Sequence, residues 1–261
     1  MLSRRRYLAC ALGGLIGGLA MGPTAPAAEM GRDFRVENRV YRGGEKEPQS
    51  RSTTIFHEGA VYDYMTEPDE VIVFEAQASR FVLLDTVRRV RCELTTRQVE
   101  TFVDQLQETA AKQDDPFVRF LAAPELTERF DASTGELSLS SPWISYRVLT
   151  LGVDDPTVVK RYREFADWYA KLNTVLIPGS RPPSARLALN AALARRNVVP
   201  KEVYLTMTPK RGFPPRRIQL HSEHQLVASL APGDLDRMAQ TREFMQIFKL
   251  VGFYDYRRPE G

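Results

Sequence analysis

The chain has 261 residues, 43% of them hydrophobic and 26% charged, which excludes wholesale disorder and allows one large domain or two small ones. Its formal charge of +3, from 36 basic and 33 acidic residues, equals the contribution of Arg4, Arg5 and Arg6. Without these three the chain balances at 33 against 33, so a nucleic-acid role loses its electrostatic support and none is expected.

Residues 1–27 read as an export leader. Ser3 to Leu8 is a basic segment, Ala9 to Met21 a glycine-rich apolar run, and Ala25-Pro26-Ala27 a small-residue cleavage site. The Ser-Arg-Arg-x-Tyr-Leu order resembles the twin-arginine signal, although a general secretory signal carrying three arginines reads similarly. The apolar run is shorter than the ~20 residues of a membrane-spanning helix. The expected mature protein is one domain, 28–261, in the periplasm or another extracytoplasmic space, touching the export machinery only in passing. With Cys10 in the leader, Cys92 is the one mature thiol; no internal disulfide can form, and a buried strand cysteine is expected.

Phe34, Val36 and Val40 alternate with polar residues, as in a strand with one wet face. A polar loop through Ser52 leads to the central stretch, Thr53 to Leu94. Its short segments are rich in β-branched and aromatic residues and are closed by turn cues at Glu58-Gly59, Glu67-Pro68-Asp69 and Ala76 to Ser79. No crossover helix fits between them, so they must pair antiparallel as a meander. Val71 to Phe74 and Phe81 to Leu84 are apolar at every position, which predicts that both faces of this hairpin are covered.

Thr95-x-x-Gln98 is a capping box opening a helix with Val99, Phe102, Val103, Leu106 and Ala110 on its apolar stripe, the expected lid for one side of the sheet. A short piece over Phe117 to Leu121 stops at Pro124. Leu126–Asp131 and Glu136–Ser140 form a hairpin around Ser133-Thr134-Gly135, and Trp143–Leu151 a further strand. Asp155-Pro156 starts a second long helix, ended by Pro178-Gly179, and Ser184 caps a shorter one running to about Arg196. Val203 to Met207 is a strand, Pro209 to Pro215 a basic proline-rich loop. Arg216–Leu220 and Gln225–Leu230 pair around a polar tip, 221–224, and a last helix near Gly233-Asp234 uses Leu235, Met238, Met245 and Phe248. Strand blocks separated by single helices predict an α+β fold: a large curved antiparallel sheet, a meander, covered by several α-helices.

No nucleophile elbow, zinc-protease helix or phosphate loop occurs. His221, Glu223 and His224 are the candidates for a metal, since two imidazoles and a carboxylate around a turn can share one face. A third or fourth ligand is missing, so a solvated hairpin tip is expected and no metal or other cofactor. His57-Glu58 reads in the same way. Phe56, Tyr62, Tyr64, Phe74 and Phe81 either pack as core or line a cavity for an apolar guest. Arg88, Arg89 and Arg91 cluster beside Cys92, with Arg88 and Arg91 the candidate rim cations, and Lys210, Arg211, Arg216 and Arg217 bracket the proline loop. Both groups suit phospholipid head groups, acidic glycans or a carboxylate ligand, and solvated faces are the alternative.

The run Thr54-Ile55-Phe56-His57-Glu58-Gly59-Ala60-Val61-Tyr62-Asp63 resembles a hairpin of the LolA-like periplasmic lipoprotein carriers, over about Thr53 to Asp85. In that group a curved antiparallel sheet wraps an apolar cavity under helical lids and shelters acyl chains. This chain departs from the pattern in its strand before the first helix and in the helices inserted between later strands. The resemblance implies a lipid- or lipoprotein-binding role, and a monomeric, non-enzymatic binder is the expected protein. The alternatives are a structural or protein-interaction module of the envelope and a hydrolase or metal-dependent enzyme without a readable motif.

Overall fold

The computed structural model describes residues 33–67, 69–209 and 217–258. The leader, Pro68 and most of the basic proline-rich loop (Lys210, Arg211 and Arg216 included) lie outside the described residues.

In chain order the elements are β1 (Phe34–Arg42), β2 (Ser50–His57), β3 (Ala60–Met65), β4 (Glu70–Glu75), β5 (Arg80–Asp85), β6 (Val90–Thr95), α1 (Thr96–Ala111), α2 (Pro116–Ala122), β7 (Thr127–Asp131), β8 (Glu136–Ser140), β9 (Ile144–Gly152), α3 (Pro156–Leu176), α4 (Ser184–Ala194), β10 (Val198–Met207), β11 (Ile218–Val227), α5 (Pro232–Ile247), β12 (Lys249–Leu250) and α6 (Phe253–Arg257). The strands form one curved sheet in the order β12-β6-β5-β4-β3-β2-β1-β11-β10-β9-β8-β7. Every pairing is antiparallel except the short β12–β6 contact. This is the expected α+β architecture.

The meander closes through tight turns. Glu58 and Gly59 both have positive φ between the paired residues His57 and Ala60, as a two-residue type I′ hairpin requires. Val71, Ile72, Val73 and Phe74 on β4 and Phe81, Val82, Leu83 and Leu84 on β5 are all at most 5% exposed. Ile72, Phe74, Phe81 and Leu83 join the main core, while Val71, Val73, Val82 and Leu84 pack beneath α5 with Met238 and Phe248. Both sides of this hairpin are therefore covered, as its composition demands. Leu235, expected on the buried face of α5, is half exposed.

The caps are largely those the sequence specifies. Thr95 and Gln98 make both halves of the capping box of α1. Asp155 accepts from the Thr157 amide at 2.8 Å and Pro156 fills the first turn of α3. Ser184 differs. It does not cap α4; its hydroxyl donates to the Ala122 carbonyl at 3.1 Å and accepts from Gln107, tying α4 to α2 and α1.

Two other expectations are corrected. The main lid on the concave face is α3, whose Phe165 and Trp168 meet Phe74, whereas α1 packs mainly on α2 and α3, leaving Phe102 exposed. The polar run 221–224 is not a hairpin tip. It lies inside β11, paired with β1 from Arg35↔Val227 through Arg42↔Leu220. The run looked like a turn because it is polar on both faces, so the alternation that marks a half-buried strand is missing.

Candidate functional site

A cavity of about 650 Å³ separates the concave face of the sheet from α2, α3, the 177–183 segment and α4. Its size falls in the range of roughly 300–1,000 Å³ that ligand pockets occupy. The sheet contributes apolar side chains from five strands, among them Val36, Phe56, Tyr146, Leu205 and Leu220. From the helices come Phe117 and Leu121 on α2, and the α3 face from Tyr162 to Thr174. Along α3 and on to Ile177, the wall extends for about 22 Å at 1.5 Å per residue.

The polar part of this wall, Asn38, Thr54 and Asp63 on β1 to β3, belongs to a connected chain that continues to His224 on β11, which does not itself line the cavity. On β1, Asn38 takes a position where Val36 and Val40 set the apolar face, and Asp63 does the same on β3 beside Val61. Asn38 Nδ2 donates to Thr54 Oγ1 at 2.9 Å and Ser52 Oγ at 3.1 Å; Thr54 Oγ1 donates to Asp63 Oδ1 at 2.6 Å. On the other side, Asn38 Oδ1 lies 3.1 Å from His224 Nδ1. With the Asn38 amide nitrogen directed at the hydroxyls, its oxygen accepts, so the network places the imidazole proton on Nδ1. Asn38, Thr54, Asp63 and His224 are buried, His224 at 4% exposure, and Ser52 is half-buried.

Burial dominates the electrostatics. It holds His224 well below the ordinary imidazole range, helped by the Arg186 charge, so the ring is neutral. It raises Asp63, against the opposing hydrogen bonds from Thr54, Tyr169 and Ser52. Burial also pushes the Tyr162 hydroxyl up, and Tyr169 well above its usual value with Asp63 adding to the effect. Ser222 points its hydroxyl at the Val203 carbonyl, 3.5 Å away, and makes no nucleophile–base pair with His224.

The aromatic and basic candidates part company. Phe56 lines the cavity, stacked on Phe34 at 4.1 Å. Phe74 and Phe81 share its face but are packed as core, stacked at 4.7 Å. Tyr62 and Tyr64 sit on the opposite face under α5, where Tyr64 Oη meets Thr241 at 2.9 Å and burial raises its pKa to about 12. Arg88 and Arg91 fasten the C-terminal segment. Arg88 pairs with Asp85 at 2.7 Å and donates to the carbonyls of Asp255, Tyr256 and Arg258; Arg91 donates to the Phe248 carbonyl and Glu93. Neither lines the cavity.

The histidine cluster is divided by strand alternation. His224 faces the cavity side, while His221 and Glu223 face the other. His221 is sandwiched between Tyr204 at 4.3 Å and Tyr41 at 5.4 Å, with Arg147 over the Tyr204 ring, and Glu223 accepts from the Tyr41 hydroxyl at 2.6 Å. The three residues therefore cannot share one ion, and no group of three potential ligands forms among the described residues. His57 stays at the β2–β3 tip with Asp33 at 2.9 Å. Cys92 is buried, which pushes its thiol up to about 11.

Sequence reasoning missed Asn38, Asp63, Tyr162, Tyr169 and Arg186. Asn38 and Asp63 had a readable signal, a polar residue at the apolar parity of a strand; Tyr162 and Tyr169 were readable as the apolar face of α3 though not as site residues, and Arg186 had no signal. No protein-family model matches the chain, and no curated protein matches it in sequence.

Proposed function

We propose that this protein is an exported, monomeric, non-enzymatic binder of an amphipathic envelope component, a lipid or the lipid part of a lipoprotein, whose apolar portion enters the cavity beneath α3. One observation carries this reading: a large, mainly apolar space is kept open inside a sheet whose neighbouring half, at β4 and β5, is fully packed. Burial of apolar ligand surface there contributes about 25 cal/mol per Å². The resemblance of residues 53–85 to LolA-like carriers supports the same role, and the leader residues support placement outside the cytoplasm.

Native mass spectrometry of protein purified from its own envelope fraction tests the proposal, together with titration of a fluorescent polyene fatty acid. Co-purified lipid, or saturable fluorescence, is the expected result. Clean apoprotein that leaves the probe in water would overturn it.

A further inference from the structure

The cavity reading above leaves open what the guest's polar end must be, and the following inference rests on that reading. Asp63 is the lone carboxylate among the lining residues, against three arginines, Arg42, Arg181 and Arg186. Asp63 is already engaged by hydroxyls. Arg181 lies over the Phe117 ring at 4.6 Å, and Arg42 is exposed at the end of β1. Arg186, on the first turn of α4, is the inner cation. Its Nη2 is buried without an acceptor, and no carboxylate pairs with it among the described residues. A buried guanidinium hydrogen-bond donor without an acceptor is costly, and a ligand anion removes that cost.

Two further groups stand close enough to Arg186 for its charge to act on them, Tyr162 and His224. His224 Nε2 is also buried and without a partner. Because His224 Nδ1 carries the proton toward Asn38, the Tyr162 hydroxyl 3.4 Å from that nitrogen has no lone pair there to donate to. Its proton is free for a guest. Of the three, Arg186 and Tyr162 line the cavity and offer a guest a guanidinium and a hydroxyl donor, while His224 is not among the lining residues. With the imidazole neutral, the unbalanced charge is a single positive one.

We propose that the guest is a single-chain amphiphile with a carboxylate head, the carboxylate paired with Arg186 beside Tyr162, and the acyl chain on the apolar walls. A planar carboxylate matches the guanidinium fork in two parallel hydrogen bonds, and its one charge matches that of Arg186. The aliphatic chain takes the elongated space along α3.

The test is calorimetric titration of lipid-free protein with palmitic acid, its methyl ester and the alkyl phosphate of equal chain length. Acid is expected to bind about 10–100-fold more tightly than ester, the worth of a charge-assisted hydrogen bond. Arg186→Gln is expected to erase that preference by bringing the acid's affinity down to that of the ester. Equal binding of acid and ester by the wild-type protein overturns the proposal without needing the variant. So does an equal loss of both in Arg186→Gln, or an alkyl phosphate that outcompetes the acid. Should the ester bind well and the acid no better, the cavity reading survives and this one falls. Should neither bind, both fall.

Discussion

Asn38 and His224 stand directly opposite each other on β1 and β11, with Asn38 Oδ1 3.1 Å from His224 Nδ1. The contact fixes the tautomer of the buried imidazole and passes its order on to Thr54 and Asp63 through successive donors. Replacing Asn38 with Leu removes both ends of this relay and orphans the Thr54 and His224 groups. The variant should lose about 1–3 kcal/mol of stability in urea titration. Thr54→Val should lose a similar amount, and the double variant less than the sum, because the two share one network.

Stability should depend on pH through His224. Its folded pKa lies well below 6.5, the unfolded reference, so the unfolded chain binds this proton first as pH falls. The contribution is complete above that reference and is lost progressively below it, toward the much lower folded value, by up to about 1.4 kcal/mol per pH unit. Urea midpoints measured from neutral pH downward should show this slope in the wild-type protein. His224→Gln should flatten it; an unchanged slope would assign the dependence elsewhere.

Filling the space should block binding without unfolding the domain. Ala170 lines the cavity from α3. Ala170→Trp is expected to weaken fatty-acid binding at least about 10-fold, by denying a ligand the apolar surface on which its affinity rests. Tyr64→Phe, on the covered opposite face, loses the Thr241 hydrogen bond and should cost about 1 kcal/mol of stability with binding unchanged. A probe titration beside a thermal melt distinguishes the two.

Arg88 should prove to be a fastener of the C-terminal segment. It reaches three backbone carbonyls between residues 255 and 258 while paired with Asp85. Tyr256, also held there, donates to Glu70 at 2.8 Å. Arg88→Ala should cost about 2–3 kcal/mol and raise hydrogen exchange over α6 and β12, while the probe affinity stays at the wild-type value.

The central meander was legible because its residues leave little choice. Short β-branched segments with turn cues at Glu58-Gly59 can only pair with their neighbours, and β4 and β5, apolar throughout, require cover on both sides. The helix starts at Thr95 and Asp155 were equally readable from their caps. The path of β11 was not, because Ser222 lines the cavity and His224 joins the polar network on that face while His221 and Glu223 serve an aromatic stack, which removes the apolar rhythm. The site itself was read in part. Phe56 belongs to the wall, but whether Tyr62 or Val61 faces the guest depends on strand parity, and parity is set by pairings that single residues do not reveal. Arg186 carried no signal, since an arginine early in a helix is ordinarily solvated.

The sheet order places β1 as a seam: β2 to β6 continue from one edge of it, while its other edge meets β11. Each wing pairs strands that are consecutive in sequence, with α3 and α4 inserted between β9 and β10, yet the two wings join only when Asn38 finds a partner 186 residues downstream. The polar wall straddles that join. A guest pocket therefore cannot exist in a half-made chain, and loading must follow the strand pairing most distant in sequence.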